Sequence, residues 1–160
     1  MHYTQTISSP LGNILLSADE VGLTGLWFDG GRYYAETLPE EHVERETPIL
    51  MDTKRWLDVY FTGREPDFTP PLHPAGSSFR QVVWQLLLEI PYGQTTTYGA
   101  LLGDGASARA VGGAVGRNPI SIIVPCHRVI GADGSLTGYA GGVDRKTRLL
   151  ALERQGTKRR

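Results

Sequence analysis

Residues 62 to 76, TGREPDFTPPLHPAG, hold four prolines and two glycines, and no other stretch restricts the fold of this chain so strongly. Proline lacks the backbone donor and fixes φ, so neither a helix nor a central strand runs through such a segment. It has no apolar periodicity either, which makes it a linker. The 160 residues therefore read as two units, 1–74 with the linker and 75–160, and a chain of this length buries an adequate core as one domain or two.

The first thirty residues read as a meander. YTQTIS, then NILLSA after the Pro10-Leu11-Gly12 turn, then LTGLWF before Asp29-Gly30-Gly31, are strand-length runs between turn signals and predict antiparallel hairpins. From Pro48 to Phe61 the residues Ile49, Leu50, Trp56, Leu57, Tyr60 and Phe61 recur at helical spacing, with Gly63 as a stop. Between these elements Glu36, Glu40, Glu41, Glu44 and Glu46 read as a solvated acidic loop.

Beyond the linker, Ser77 or Ser78 caps a helix with Phe79, Val82, Val83, Leu86, Leu87 and Ile90 as one stripe, ended by Pro91-Tyr92-Gly93. In TTTYGALLGDGASARAVGGAVGRNP, residues 95 to 119, a Thr-capped turn, a break at Gly103-Asp104-Gly105 and a small-residue helix from about Ser107 give a helix-turn-helix outline. ISIIV is expected as a short buried strand delivering PCHRVIG, GADGSL as a turn, and DRKTRLLALE as an amphipathic helix with Leu149, Leu150 and Leu152 inward. Trp27, Trp56 and Trp84 sit within these patterns as core. The fold class is α/β, a small sheet-and-helix domain followed by a mainly helical one.

The net charge of −1 hides an asymmetry. Up to Pro74 there are five Lys/Arg against twelve Asp/Glu, or −7; beyond it eleven against five, or +6. A polyanion such as nucleic acid is one partner for the basic half; the alternative is a solvated tail, since Lys158, Arg159 and Arg160 supply three of those charges. No apolar run approaches the roughly 18 residues of a membrane span, and MHYTQTISSPLG has no signal-peptide pattern, so cytoplasm is the expected location. A single cysteine excludes an internal disulfide and a Cys-rich zinc site. His73 alone makes no metal site, and His2 and His42 read as surface residues.

That cysteine, Cys126, is the one strong nucleophile available, and its reactive form is the thiolate. His127 can take its proton if the chain turns there or a water bridges the two, because neighbours on an extended strand point apart. Glu153, an acid inside a leucine-faced helix, is the candidate to orient the imidazole. The alternative is a buried cysteine that only fills the core.

PCHRVIG, with ARAVGGAVGRNPISIIV before it and GYAGGVDRKTRLLALE after it, resembles the active-site region of the O6-alkylguanine-DNA alkyltransferases, over about Phe79 to Glu153. The resemblance implies an RNase H-like N-terminal domain and a winged helix-turn-helix in the C-terminal one. It implies that Cys126 accepts the alkyl group irreversibly, with His127 as its base through a water and Glu153 as orienter. Tyr98 matches the donor to the leaving guanine and Asn118 the asparagine that braces the helix-turn-helix against the active-site strand. Val129 and Tyr139 match walls of the base pocket, and the Ala140 amide a donor to O6. Arg109 matches the finger that replaces a flipped nucleotide, on a helix whose Ala108, Ala110 and Gly112 allow close approach to the minor groove. Without the resemblance, small residues here would equally suit tight helix packing.

The segment YGALLGDGASAR is shorter than the family's, which trims the first helix or the turn of the helix-turn-helix. The expectation is thus a monomeric, single-use DNA-repair alkyltransferase acting on double-stranded DNA, with no cofactor and no metal, its sulfur held anionic. Activity on O4-alkylthymine stays open. The alternatives are a non-enzymatic lesion-binding protein, which the family resemblance associates with tryptophan where this chain has Cys126, and a Cys-His hydrolase, for which no oxyanion-hole signal is present.

Overall fold

The computed structural model describes residues 1–103, 107–136 and 138–158. Three strands, β1 (His2–Ile7), β2 (Ile14–Ala18) and β3 (Leu23–Phe28), form the expected antiparallel meander, with Ile7 opposite Ile14 at the first turn and Ile14 opposite Phe28. The acidic stretch is not all loop. His42–Glu44 forms β4, which adds in parallel to the free edge of β1, giving the order β3-β2-β1-β4.

Helix α1 (Pro48–Phe61) covers the sheet. Thr47 caps it by accepting from Leu50 N, Pro48 starts it where no donor is needed, and Gly63 at φ 86° lies just past its end. Leu50, Trp56, Leu57 and Tyr60 are its buried face.

In the C-terminal half, α2 (Ser78–Leu88) is capped by Ser77, α3 (Tyr98–Leu102) by Thr97 and α4 (Ala108–Gly116) by Ser107. Each cap satisfies a backbone donor that would otherwise be orphaned, typically for about 1 kcal/mol. The α2 stripe is narrower than expected: Val83, Trp84, Leu87 and Ile90 are buried, whereas Phe79 and Val82 are 43 % and 53 % exposed. Trp84 sets α4 in place by donating its indole N–H to the Ala114 carbonyl at 2.9 Å. The shortened turn expected between α3 and α4 falls partly on residues 104–106, outside the described residues. Beside the helix-turn-helix, β5 (Thr96–Thr97) and β6 (Val129–Ile130) make a short parallel pair, and α5 (Val143–Lys158) closes the fold.

The linker does more than connect. Leu23 N donates to Pro71 O and His73 N to Leu23 O, both at 2.7 Å, so the linker extends the edge of β3. His73 is also not simply solvated, since its Nδ1 meets Asp19 Oδ2 at 2.6 Å. Further along the same edge, Leu26 N donates to Pro119 O at 2.9 Å and Ser121 N to Leu26 O at 3.0 Å. One strand of the first sheet is thereby stitched to both the linker and the approach to Cys126.

Candidate active site

The run ISIIV is not the expected strand. Ile120 makes a single bridge to Leu26, residues 121–123 turn, and Ile122 sits at φ 70°, a conformation that a β-branched residue adopts at a cost of about 1–3 kcal/mol. Asn118 holds that turn closed. Its Nδ2 donates to Ile120 O at 3.2 Å and to Val124 O at 2.8 Å, and its Oδ1 accepts from Ile120 N at 3.0 Å. These bonds satisfy backbone groups that the turn leaves inside the protein, which is why an amide is needed there. The asparagine side chain thereby holds the segment that leads to Cys126.

Pro125 leads into a 3-10 turn, Cys126–Arg128. The turn removes the objection that neighbouring side chains on a strand point apart, and Cys126, His127 and Arg128 are all buried. His127 is 0 % and Glu153 1 % exposed, and His127 Nε2 lies 2.5 Å from Glu153 Oε2. Oε2 accepts a second hydrogen bond from the Tyr60 hydroxyl at 2.6 Å, and Oε1 accepts from Arg128 Nε at 2.8 Å and Gly93 N at 3.1 Å. Arg128 is fixed in turn by donating from Nη1 to Ile90 O at 2.7 Å.

Burial alone would raise the Glu153 carboxyl, but the hydrogen bonds and charges of His127 and Arg128 outweigh it and hold it down to about 2. Burial lowers His127 in spite of that partner. The resting pair is therefore neutral imidazole and ionised carboxylate. The shared proton sits on Nε2, and Nδ1, buried with no hydrogen-bond partner among the described residues, carries the lone pair.

The sulfur is not held anionic, contrary to expectation. Burial pushes the Cys126 thiol up to about 11, against the smaller lowering effects of the Asn118 amide and of Lys146. Lys146 is almost fully buried on α5 and donates to Val129 O at 2.6 Å. The thiol thus rests protonated, and the anion forms only as its proton leaves.

Both depressed groups make the fold acid-sensitive. Below about pH 6.5 the unfolded chain protonates its histidine before the native chain can, and below about 4.5 it protonates the carboxylate that the native chain keeps ionised to about 2. Each imbalance favours the unfolded state as pH falls. Urea midpoints are expected to drop progressively from about pH 7 to about pH 3, with Glu153 contributing on the order of 2 kcal/mol by the lower end. A Glu153→Gln variant should show a flatter profile over the lower half of that range.

Two of the expected pocket residues, Tyr139 and Ala140, line a cleft of about 450 Å3 with Arg32, Tyr33, Gly112 and Arg117, among others, and Val129 is not in its lining. Tyr139 turns one side to that cleft and sets its ring edge-to-face on His127, with centroids 6.4 Å apart. The Tyr98 hydroxyl lies over Gly138, where an added Cβ would meet it at 3.3 Å, and its pKa is raised by burial and by nearby Cys126. Val129 is fully buried beside the 3-10 turn. The Ala140 carbonyl accepts from Arg32 N at 2.8 Å, and Arg145 on α5 bonds to the carbonyls of Leu11, Asp29 and Gly141, so the loop bearing Tyr139 and Ala140 is tied to the first sheet.

On α4 the residues Ala108, Arg109 and Ala110 are exposed, and among the described residues no atom outside the helix's own backbone lies within 4 Å of where a Cβ on Gly112, Gly113 or Gly116 would be. The small residues therefore leave an open face and do not serve tight helix packing there.

Four participants escaped the sequence reading. Lys146 had a visible signal, because Lys146, Leu149, Leu150 and Glu153 share one helical stripe, and a cation on it must be buried. Arg128 adjoins His127 but gave no sign of turning to Glu153. Tyr60 and Gly93 reach Glu153 from 93 and 60 positions away, with no local signal.

Comparison with known proteins agrees with this geometry. Residues 1–74 match the ribonuclease-like domain of 6-O-methylguanine DNA methyltransferase, and residues 78–155 its DNA binding domain. The methylated-DNA–protein-cysteine methyltransferase of Methanosarcina acetivorans is 48% identical over 94% of this chain and 97% of its own, and that of Haemophilus influenzae 41% over 96% and 87%. The crystal structure of Mycobacterium tuberculosis OGT in complex with DNA superposes with a TM-score of 0.85 at 41% identity, covering 96% of this chain and 94% of that one. Matched in both halves and across nearly its whole length, the chain belongs to the 6-O-methylguanine DNA methyltransferase family.

Proposed function

We propose that the protein repairs DNA by moving the alkyl group of O6-alkylguanine in a duplex onto Cys126, once per molecule and without a cofactor. The observation that carries this is the Cys126–His127 turn with His127 clamped to Glu153, leaving Nδ1 as the lone-pair nitrogen on the residue next to the only cysteine in the chain. As the extruded base enters, His127 takes the thiol proton through a water. Sγ attacks the alkyl carbon, the carbon–O6 bond breaks, and a thioether forms. The guanine leaves with a proton donated by Tyr98, whose raised pKa keeps it protonated until then. Tyr139, Val129 and the Ala140 amide form the base pocket. Arg109 fills the gap in the stack, and Ala108, Ala110 and Gly112 let α4 approach the minor groove.

A thiol resting near 11 is protected from other electrophiles until a base is in place. A thioether has no second thiol to resolve it, which accounts for single use, and a reduced thiol fits a cytoplasmic monomer. We place the boundary between the two domains at residues 74 and 75. Incubation with a duplex carrying one O6-methylguanine should add one methyl group per chain in the intact mass and then stop. Continued product release beyond one equivalent would favour a hydrolase, and binding without a mass change a lesion-binding protein.

Glu153→Gln keeps the shape of the relay and removes its charge. Its reaction with O6-benzylguanine should slow about 10- to 100-fold while duplex affinity stays at the wild-type value. An unchanged alkylation rate would remove Glu153 from the mechanism.

A further inference from the structure

Glu153 is held from both domains at once. A carboxylate offers about four lone-pair positions, and here each oxygen accepts two hydrogen bonds: Oε1 from Arg128 and Gly93, Oε2 from His127 and from Tyr60. Tyr60 comes from α1, in the first half of the chain, whereas Cys126, His127 and Arg128 come from the second. We propose that Tyr60 is a positioning residue for alkyl transfer, its hydroxyl fixing the Glu153 carboxylate in the orientation that keeps the His127 proton on Nε2 and Nδ1 free to accept from Cys126. The inference rests on the repair reading above.

The ring does not need the hydroxyl to stay in place. It stacks on Trp56 at 5.2 Å and 11°, and meets Phe61 and Tyr92 edge-on at 5.4 Å and 6.3 Å. Phenylalanine would fill the same volume in an apolar setting and would spare the burial of a hydroxyl. What tyrosine adds is one directed bond to the atom that His127 also uses. Burial and the Glu153 charge raise the Tyr60 pKa well above the ordinary value, so it remains a donor.

The other titratable or charged groups around this pair include Arg128 from the 3-10 turn, Tyr92, whose ring meets that of Tyr60, Lys146 from α5, Tyr139 from the loop before α5, and Cys126 itself. All of them stay when the hydroxyl is removed. Loss of that bond returns one lone pair to Oε2, leaves its charge less dispersed, and frees the carboxylate to swing. The imidazole should then hold its proton more tightly and be oriented less well.

The test uses Tyr60→Phe in the full chain, with 15N-labelled histidine. The expected result is a reaction with O6-benzylguanine about tenfold slower, an upward shift of the His127 titration, and little change in melting temperature. Trp56→Phe serves as control, since it loosens the stack on the same ring and keeps the hydroxyl. It should lower the melting temperature and leave both the rate and the His127 spectrum as in the wild type. Tyr60→Phe reacting at the wild-type rate with a superimposable His127 titration overturns the proposal, and so does equal slowing by Trp56→Phe. If the wild-type chain itself gains no mass from an O6-methylguanine duplex, the repair reading fails, and the His127 titration still decides whether Tyr60 positions the relay.

Discussion

Cys126→Ala yields a folded chain that gains no mass from O6-benzylguanine or from alkylated duplex DNA, a complete loss where other substitutions only slow the reaction. The chain has no second thiol to take over. Hydroxyl and amine side chains lack both the polarisability of sulfur and a partner placed to remove their proton. Trimming one sulfur from a packed site should lower stability by roughly 1–2 kcal/mol, too little to unfold the chain. Affinity for a lesion-bearing duplex should survive, because the surface of α4 is untouched. Cys126→Ser sharpens the point: it keeps the shape and a proton to lose, yet its much higher pKa should leave it inert. Intact mass and a gel-shift titration on the same samples decide the matter. Alkyl uptake by Cys126→Ala at any other residue would sink the assignment of the acceptor.

Arg109→Ala should separate two substrates that the same sulfur attacks. A guanine within a duplex has to leave the stack, at a cost of a few kcal/mol, and a side chain that fills the gap would offset part of it. A free benzylated base faces no such cost. The expected losses are about 100-fold on duplex DNA and less than about twofold on free O6-benzylguanine. Arg109 is exposed on α4, far in function from the relay at Glu153, and its truncation disturbs no packed side chain. Rates measured side by side on both substrates provide the check, and equal losses would deny Arg109 the finger role.

Elements with a local signal were legible in the chain. Pro48 and Gly63 bracket α1, and Ser77, Thr97 and Ser107 announce the three helices that follow them. Glu153 drew notice as an acid among leucines, and its burial agrees with that. Misreadings arose where distant partners override local preference. ISIIV carries every mark of a strand, but Asn118 and the edge of β3 take its hydrogen bonds and turn it. Phe79 and Val82 extend an apolar stripe that α3 and α4 do not cover. The resting state of the thiol depends on how deeply it is buried, which no sequence pattern measures. Tyr60 looks like any core aromatic until α5 is folded against α1.

Because the backbone of β3 pairs with Pro119 and Ser121 as well as with Pro71 and His73, the two halves are poor candidates for exchange as cassettes. A chimera that grafted the acceptor half of one relative onto the sheet of another would have to match the twist and register of that seam, or the loop leading to the sulfur would lose its mooring. Recombination near the proline-rich stretch is thus tolerated only between partners whose third strands are interchangeable.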